Sequence, residues 1–179
     1  MTALNVGITA RQAREDRAIY RAMNLLEKRL RKPGEVFNGT GAVQQYLALH
    51  LSGYDREVFS ALWLDTQHRL IAAEHLFIGT LTQTSVYPRE VARRCLQMNA
   101  AAVIFAHNHP SGCADPSKAD LVLTRVLMDV LSIFDVPVLD HFIVAESGTL
   151  SLAQKGLLGV LDFPTQDAQP EPRKIIRKK

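Results

Sequence analysis

The apolar run Ala101-Ala102-Val103-Ile104-Phe105-Ala106 leads without a break into His107-Asn108-His109-Pro110. A run this short, closed by a loop holding Pro110, Gly112 and Pro116, reads as a buried β-strand. Residues i and i+2 of an extended chain project to the same side. The imidazoles of His107 and His109 therefore leave the carboxyl end of this strand together, where α/β sheets present ligand sites.

The elements around this strand set the fold class. Residues 10–31 carry Ile19, Ala22, Met23, Leu26 and Leu30 at helical spacing, and Pro33-Gly34 stops the pattern. A second short helix with Val43, Tyr46, Leu47 and His50 follows Asn38-Gly39-Thr40 and ends near Gly53. Val58–Leu64 and Leu70–Phe77 flank Asp65-Thr66-Gln67, the pattern of a hairpin. After a Thr-rich stretch over 79–85, Pro88 opens a helix with Glu90 in its first turn and Val91, Cys95 and Met98 on its apolar face. Ser117 begins a long helix expected to turn Leu121, Leu123, Val126, Leu127, Val130 and Leu131 inward. Val136–Ala145 is a strand, Ser147-Gly148 a turn, and Leu150–Leu158 a short strand or helix. Strands interleaved with helices in this order predict an α/β or α+β sandwich around a mixed sheet.

Length and charge narrow the partners. The 179 residues fit one domain with appended arms: a basic helical leader over 1–34, a main domain over 35–160, and a basic tail over 161–179 expected to be disordered. The net charge of +3 is segregated, at +5 over residues 1–32, +2 over 162–179 and −4 between them. Nucleic acid, if bound at all, meets the arms rather than the body; a solvated basic helix accounts for the same charge. No apolar run approaches the ~20 residues of a membrane helix. The N-terminus lacks a secretory pattern, so the cytoplasm is the expected compartment. A Cys95–Cys113 disulfide is disfavoured there.

Asp120 follows His109 by eleven residues, enough for the loop to fold back. Two imidazoles and a carboxylate make a three-ligand zinc set that keeps a fourth position for water, whose pKa zinc lowers toward ~7. Residue types alone leave a second reading open. Ser117-Lys118-Ala119-Asp120 is also a helix capping box, in which Asp120 stabilises the helix start. The two roles compete for one carboxylate.

The full pattern is His107-x-His109-Pro110, six residues, Ser117, two residues, Asp120. It resembles the JAMM (MPN+) motif of zinc metalloproteases. Arg56-Glu57-Val58-Phe59, Leu76-Phe77-x-Gly79-Thr80-Leu81, Val86-Tyr87-Pro88-Arg89-Glu90, His107–Gly112 and Val138-Leu139-Asp140-His141 resemble the RadC-like family over about residues 35–160. The residues before about 35 do not resemble the helix-hairpin-helix region typical of full-length RadC, so DNA contacts attributed to that region are not expected of them.

The resemblance implies the MPN/JAB fold, a cytidine-deaminase-like mixed β-sheet sandwiched by helices. It implies Zn2+ on His107, His109 and Asp120, with a peptide or isopeptide substrate. It implies a glutamate on the first core strand as general base, for which Glu57 is the choice and Glu74 the rival, and Ser117 as support for the oxyanion. A DNA-repair accessory of the RadC type and a catalytically silent scaffold are the alternatives. His141 with Asp140 is either an outer partner of a ligand or a core pair, and Cys113 a candidate zinc cap. Asn108 and Ser111 are expected to shape the loop, and His50, His68 and His75 to lie on the surface.

Overall fold

The computed structural model describes residues 9–31, 40–51, 53–79 and 85–159. Pro33-Gly34, Asn38-Gly39, most of the Thr-rich stretch and the basic tail lie outside the described residues. Helix α1 (Ala10–Leu30) and helix α2 (Thr40–Leu51) precede strands β1 (Val58–Leu64) and β2 (Leu70–Ile78). Helix α3 (Pro88–Gln97), strand β3 (Ala102–Asn108), helix α4 (Lys118–Ser132) and strands β4 (Val138–Ala145) and β5 (Gly148–Ser151) follow.

The five strands form one mixed sheet in the order β2-β1-β3-β4-β5. β1 is antiparallel to β2 and to β3, β3 is parallel to β4, and β4 is antiparallel to β5. The single parallel pair is the one joined by a helix, as a parallel connection requires. The expected α/β sandwich around a mixed sheet is the architecture found.

All seven residues of β1 and of β3 are buried. Alternation divides them between two cores. Val58, Leu62, Leu64, Ala102, Ile104 and Ala106 pack with Leu26, Leu30, Val43, Leu47 and Leu51 of α1 and α2. Phe59, Ala61, Trp63, Val103 and Phe105 pack with Val91, Cys95, Leu127 and Leu131 of α3 and α4. Even residues of β3 thus meet the first helix pair and odd residues the second.

Three expectations need correction here. In α4 the buried face is Asp120, Thr124, Leu127 and Leu131, whereas Val126 is 39% exposed, because the face turned to the sheet is narrower than the apolar stripe. In α1, Leu26 and Leu30 are buried and Ile19 is exposed, since α2 covers the carboxyl half of the helix. The turn before β5 is made by Glu146 and Ser147, and Gly148 already pairs with Ala145.

Leu127→Ala should cost about 2–5 kcal/mol in urea unfolding, as buried leucines do. Val126→Ala should stay within about 0.5 kcal/mol of the parent chain, as exposed positions do. Equal losses at the two sites would contradict the face assigned to α4.

Candidate metal centre

Three polar side chains converge at the carboxyl end of β3. Among the described residues, His107, His109 and Asp120 offer ligand atoms within 4.8 Å of one another. Nε2 of His107 lies 2.9 Å from Nε2 of His109, and each is 3.4 Å from an oxygen of Asp120. Metal–ligand bonds of about 2.0–2.2 Å in a tetrahedral zinc site separate the donors by about 3.3–3.5 Å. The two histidine–aspartate separations match that spacing, and the two imidazole nitrogens would part by about 0.5 Å to take a small divalent cation.

Each member is held from behind. His107 is the last odd residue of β3 and shares the α4 face with Phe105. His109 extends the pairing beyond the strand, its backbone N–H donating to Val144 at 2.8 Å. Its Nδ1 lies 2.9 Å from the carbonyl of Cys113, which can only accept, so Nδ1 carries the proton and Nε2 faces the cluster bare when the ring is neutral. The loop turns at Gly112, whose φ of +86° favours glycine. Ser147 donates its N–H to Gly112 and accepts from that of Ala114, strapping the loop to the β4–β5 turn.

The capping box and the cluster coexist. Asp120 Oδ2 accepts from the backbone N–H and the hydroxyl of Ser117, both at 2.7 Å, while Oδ1 faces His107. Ser117 Oγ in return accepts the Asp120 N–H at 3.2 Å. A carboxylate has two oxygens and several lone pairs, so the competition expected from the sequence does not arise.

Electrostatics divide the group. Burial pushes His107 down to about 4 against the opposing pull of Asp120, keeping the ring neutral. The hydrogen bond to Asp120 outweighs burial at His109 and raises it. Burial alone would raise Asp120, yet the bond to His109, the charge at His107 and the bonds to Ser117 hold it well below the usual carboxylate range.

Glu57 precedes β1 on the same alternating face as Phe59, which pairs with His107. Burial raises its carboxyl, as does the charge of Asp120, while His109 pulls it down. Glu57 is thus electrostatically within the cluster. Glu74 is committed elsewhere: it accepts from Trp63 Nε1 at 2.9 Å and pairs with Arg94, which holds its carboxyl low.

Asn108 does more than shape the loop. It points to the opposite face, where its amide donates to the carbonyls of Tyr54 and Arg56 and its oxygen accepts the Val58 N–H. That buried latch pins the segment bearing Glu57 to the end of β3. The expected His141–Asp140 pair is divided. Asp140 accepts from Ser151 and from the N–H groups of His141 and Ala153. The fully buried His141 instead puts Nε2 2.8 Å from His107 Nδ1 and Nδ1 2.6 Å from Thr124 Oγ1.

Cys113 lies outside the cluster, its thiol on Asp115, and contributes only its carbonyl; both cysteines are free. His68 is exposed, but His50 and His75 are half-buried and stacked 4.4 Å apart, since β2 brings His75 against α2. Burial pushes His50 down to about 4. Thr124 gave no signal in the sequence beyond its place one helical turn after Asp120, which puts it on the same face. Among the described residues, no helix is long and apolar enough to cross a membrane.

Residues 37–157 match the family described as the RadC-like JAB domain. That match covers most of the chain, which belongs to this family. A UPF0758 protein of Leptothrix cholodnii is 59% identical over 123 residues, 69% of this chain and 55% of that protein. One of Nitrosospira multiformis is 56% identical over 137 residues, 76% of this chain and 61% of its own length. One of Variovorax paradoxus is 51% identical over 153 residues, 86% of this chain and 68% of that protein. The chain spans less than two thirds of the first two relatives, and the shared name states no activity.

Asn108→Ala should destabilise the fold by about 1–3 kcal/mol in chemical denaturation, because buried backbone groups lose their partner. Amide hydrogen exchange should rise first over residues 54–58. Unchanged protection there would contradict the latch.

Proposed function

We propose that this chain is a zinc-dependent hydrolase of the JAMM type, acting on a peptide or isopeptide bond. The observation that carries the reading is the convergence of His107, His109 and Asp120, with Glu57 in electrostatic contact. His107, His109 and Asp120 would hold the ion. When bound, zinc supplies Lewis acidity toward a carbonyl oxygen and acidifies water.

The chain's own residues supply the rest. Glu57 accepts the proton of the attacking water and returns it to the leaving amine. Burial, and then the charge of Asp120, raises its affinity for that proton. Ser117 is the hydroxyl proposed to support the oxyanion. It is spent on Asp120 in the free protein and must turn from it to serve. The Asn108 latch holds Glu57 in register with the histidines.

Metal analysis of purified protein should find one zinc per chain, lost in Asp120→Ala. In a peptide-library screen Glu57→Gln should keep the zinc and lose about 10²–10⁴-fold in turnover, the range for a removed general base. Glu74→Gln should retain turnover. Undiminished cleavage by Glu57→Gln would overturn the assignment of the base, and a wild-type protein without zinc would overturn the reading as a whole.

A second reading is favoured by α1, which exposes Arg11, Arg14, Arg17, Arg21, Lys28 and Arg29. It makes the chain a RadC-type accessory that touches nucleic acid through its basic helix. Duplex DNA should then be retarded in a gel shift that weakens steeply between about 50 and 200 mM salt. A shift insensitive to salt, or none at all, would dismiss this reading.

A further inference from the structure

His141 has no part in the reaction just described, yet it is completely buried against one of the proposed ligands. Its hydrogen bonds can be assigned proton by proton. Thr124 Oγ1 lies 2.6 Å from the backbone carbonyl of Asp120 and 2.6 Å from His141 Nδ1. A carbonyl oxygen only accepts, so the one hydroxyl proton of Thr124 goes to Asp120. The hydroxyl oxygen must then accept from His141, which places a proton on Nδ1. His141 is completely buried and its ring nitrogens meet His107 and the Thr124 hydroxyl rather than a carboxylate, so the ring carries a single proton and Nε2 is left as an acceptor. His107 Nδ1, 2.8 Å away, must therefore be the donor. A neutral His107 protonated at Nδ1 presents Nε2 to the cluster as an acceptor, 2.9 Å from His109 Nε2.

We propose that Thr124 and His141 are positioning residues that lock His107 into the tautomer and orientation needed to ligate metal. The proposal rests on the metal reading above and adds its supporting shell. The three bonds run from His107 on β3 through His141 on β4 to Thr124 on α4, and end on the carbonyl of Asp120. Both ends of the relay are thus members of the cluster. The ring planes of His107 and His141 cross at 62°, with centroids 4.9 Å apart. Phe59 lies parallel to His107 and meets His141 edge-on, one aromatic neighbour shared by both rings. Among the described residues, every proton-bearing group of the relay is used once.

Removing the Thr124 hydroxyl deprives His141 Nδ1 of its acceptor. The His141 proton then moves to Nε2 and is donated to His107 Nδ1, which drives the His107 proton onto the nitrogen facing the cluster. The nearly isosteric Thr124→Val makes that change, and Thr124→Ser restores the hydroxyl. Nitrogen-15 NMR of the metal-free chain reads ring tautomers directly, and competition against a chromophoric chelator reads zinc affinity.

The wild-type chain should show His107 and His141 both protonated at Nδ1. Thr124→Val should move the His107 proton to Nε2 and weaken zinc binding by about 10–100-fold, the usual effect of losing an outer partner of a metal-bound histidine. Thr124→Ser should recover both properties. Wild-type tautomers opposite to these, or a folded Thr124→Val with unchanged tautomers and affinity, would overturn the relay. A wild-type chain that takes up no zinc would sink the metal reading, while the spectra of the metal-free protein would still decide the relay. Should Thr124→Val not fold, the wild-type tautomers together with those of Thr124→Ser decide it: both rings protonated at Nδ1 in the two proteins support the relay, and any other pattern overturns it.

Discussion

Alternation along a strand sends neighbouring side chains to opposite faces of the sheet. β3 obeys this rule at His107-Asn108-His109. The odd positions turn toward α4, whose first turn brings Asp120. The even position turns toward the segment before β1 and holds it through its amide. A slip of one residue along β3 would exchange the two faces and disperse the cluster. The assembly therefore depends on the burial of Val103, Ile104 and Phe105, which sets that register.

Asp120 shows how one side chain meets two demands. It closes a capping box and faces two imidazoles, because a carboxylate has lone pairs to spare: Oδ2 meets Ser117 and His109, and Oδ1 meets His107. A cap of this kind is worth about 1 kcal/mol, so helix start and cluster are built by the same bonds. The anion also acts on its neighbours, raising His109 and adding to the rise that burial gives Glu57, while burial keeps His107 neutral.

Much of this was legible in the residues. The short apolar runs, Pro88 at a helix start and the Ser117–Asp120 cap located the elements, since each is a local signal with a local cause. The convergence of His107 and His109 was legible from the period of a strand. Less legible was what packs against what. Val126 belongs to the apolar stripe of α4 yet faces solvent, because the sheet covers a narrower strip than the stripe. His50 and His75 were expected at the surface, and the pairing of β2 brings one against the other. Thr124 carries no chemical signature of its own; its hydroxyl matters through His141, seventeen residues away in the chain.

The chain by itself determined which segments extend, which coil, and which three donor groups share one side of a strand end and a helix start. Periodicity, capping and turn chemistry act over a few residues and are written in the order of the side chains. Tertiary structure decided that Glu57 couples electrostatically to Asp120 and His109 while Glu74 bonds Trp63 and Arg94, and that His141 backs His107 while Asp140 ties β4 to the segment after it. Those outcomes follow from strand order and from the parallel pairing of β3 with β4. Pairing between distant segments is settled by burial of the whole sheet, which no short window of residues contains.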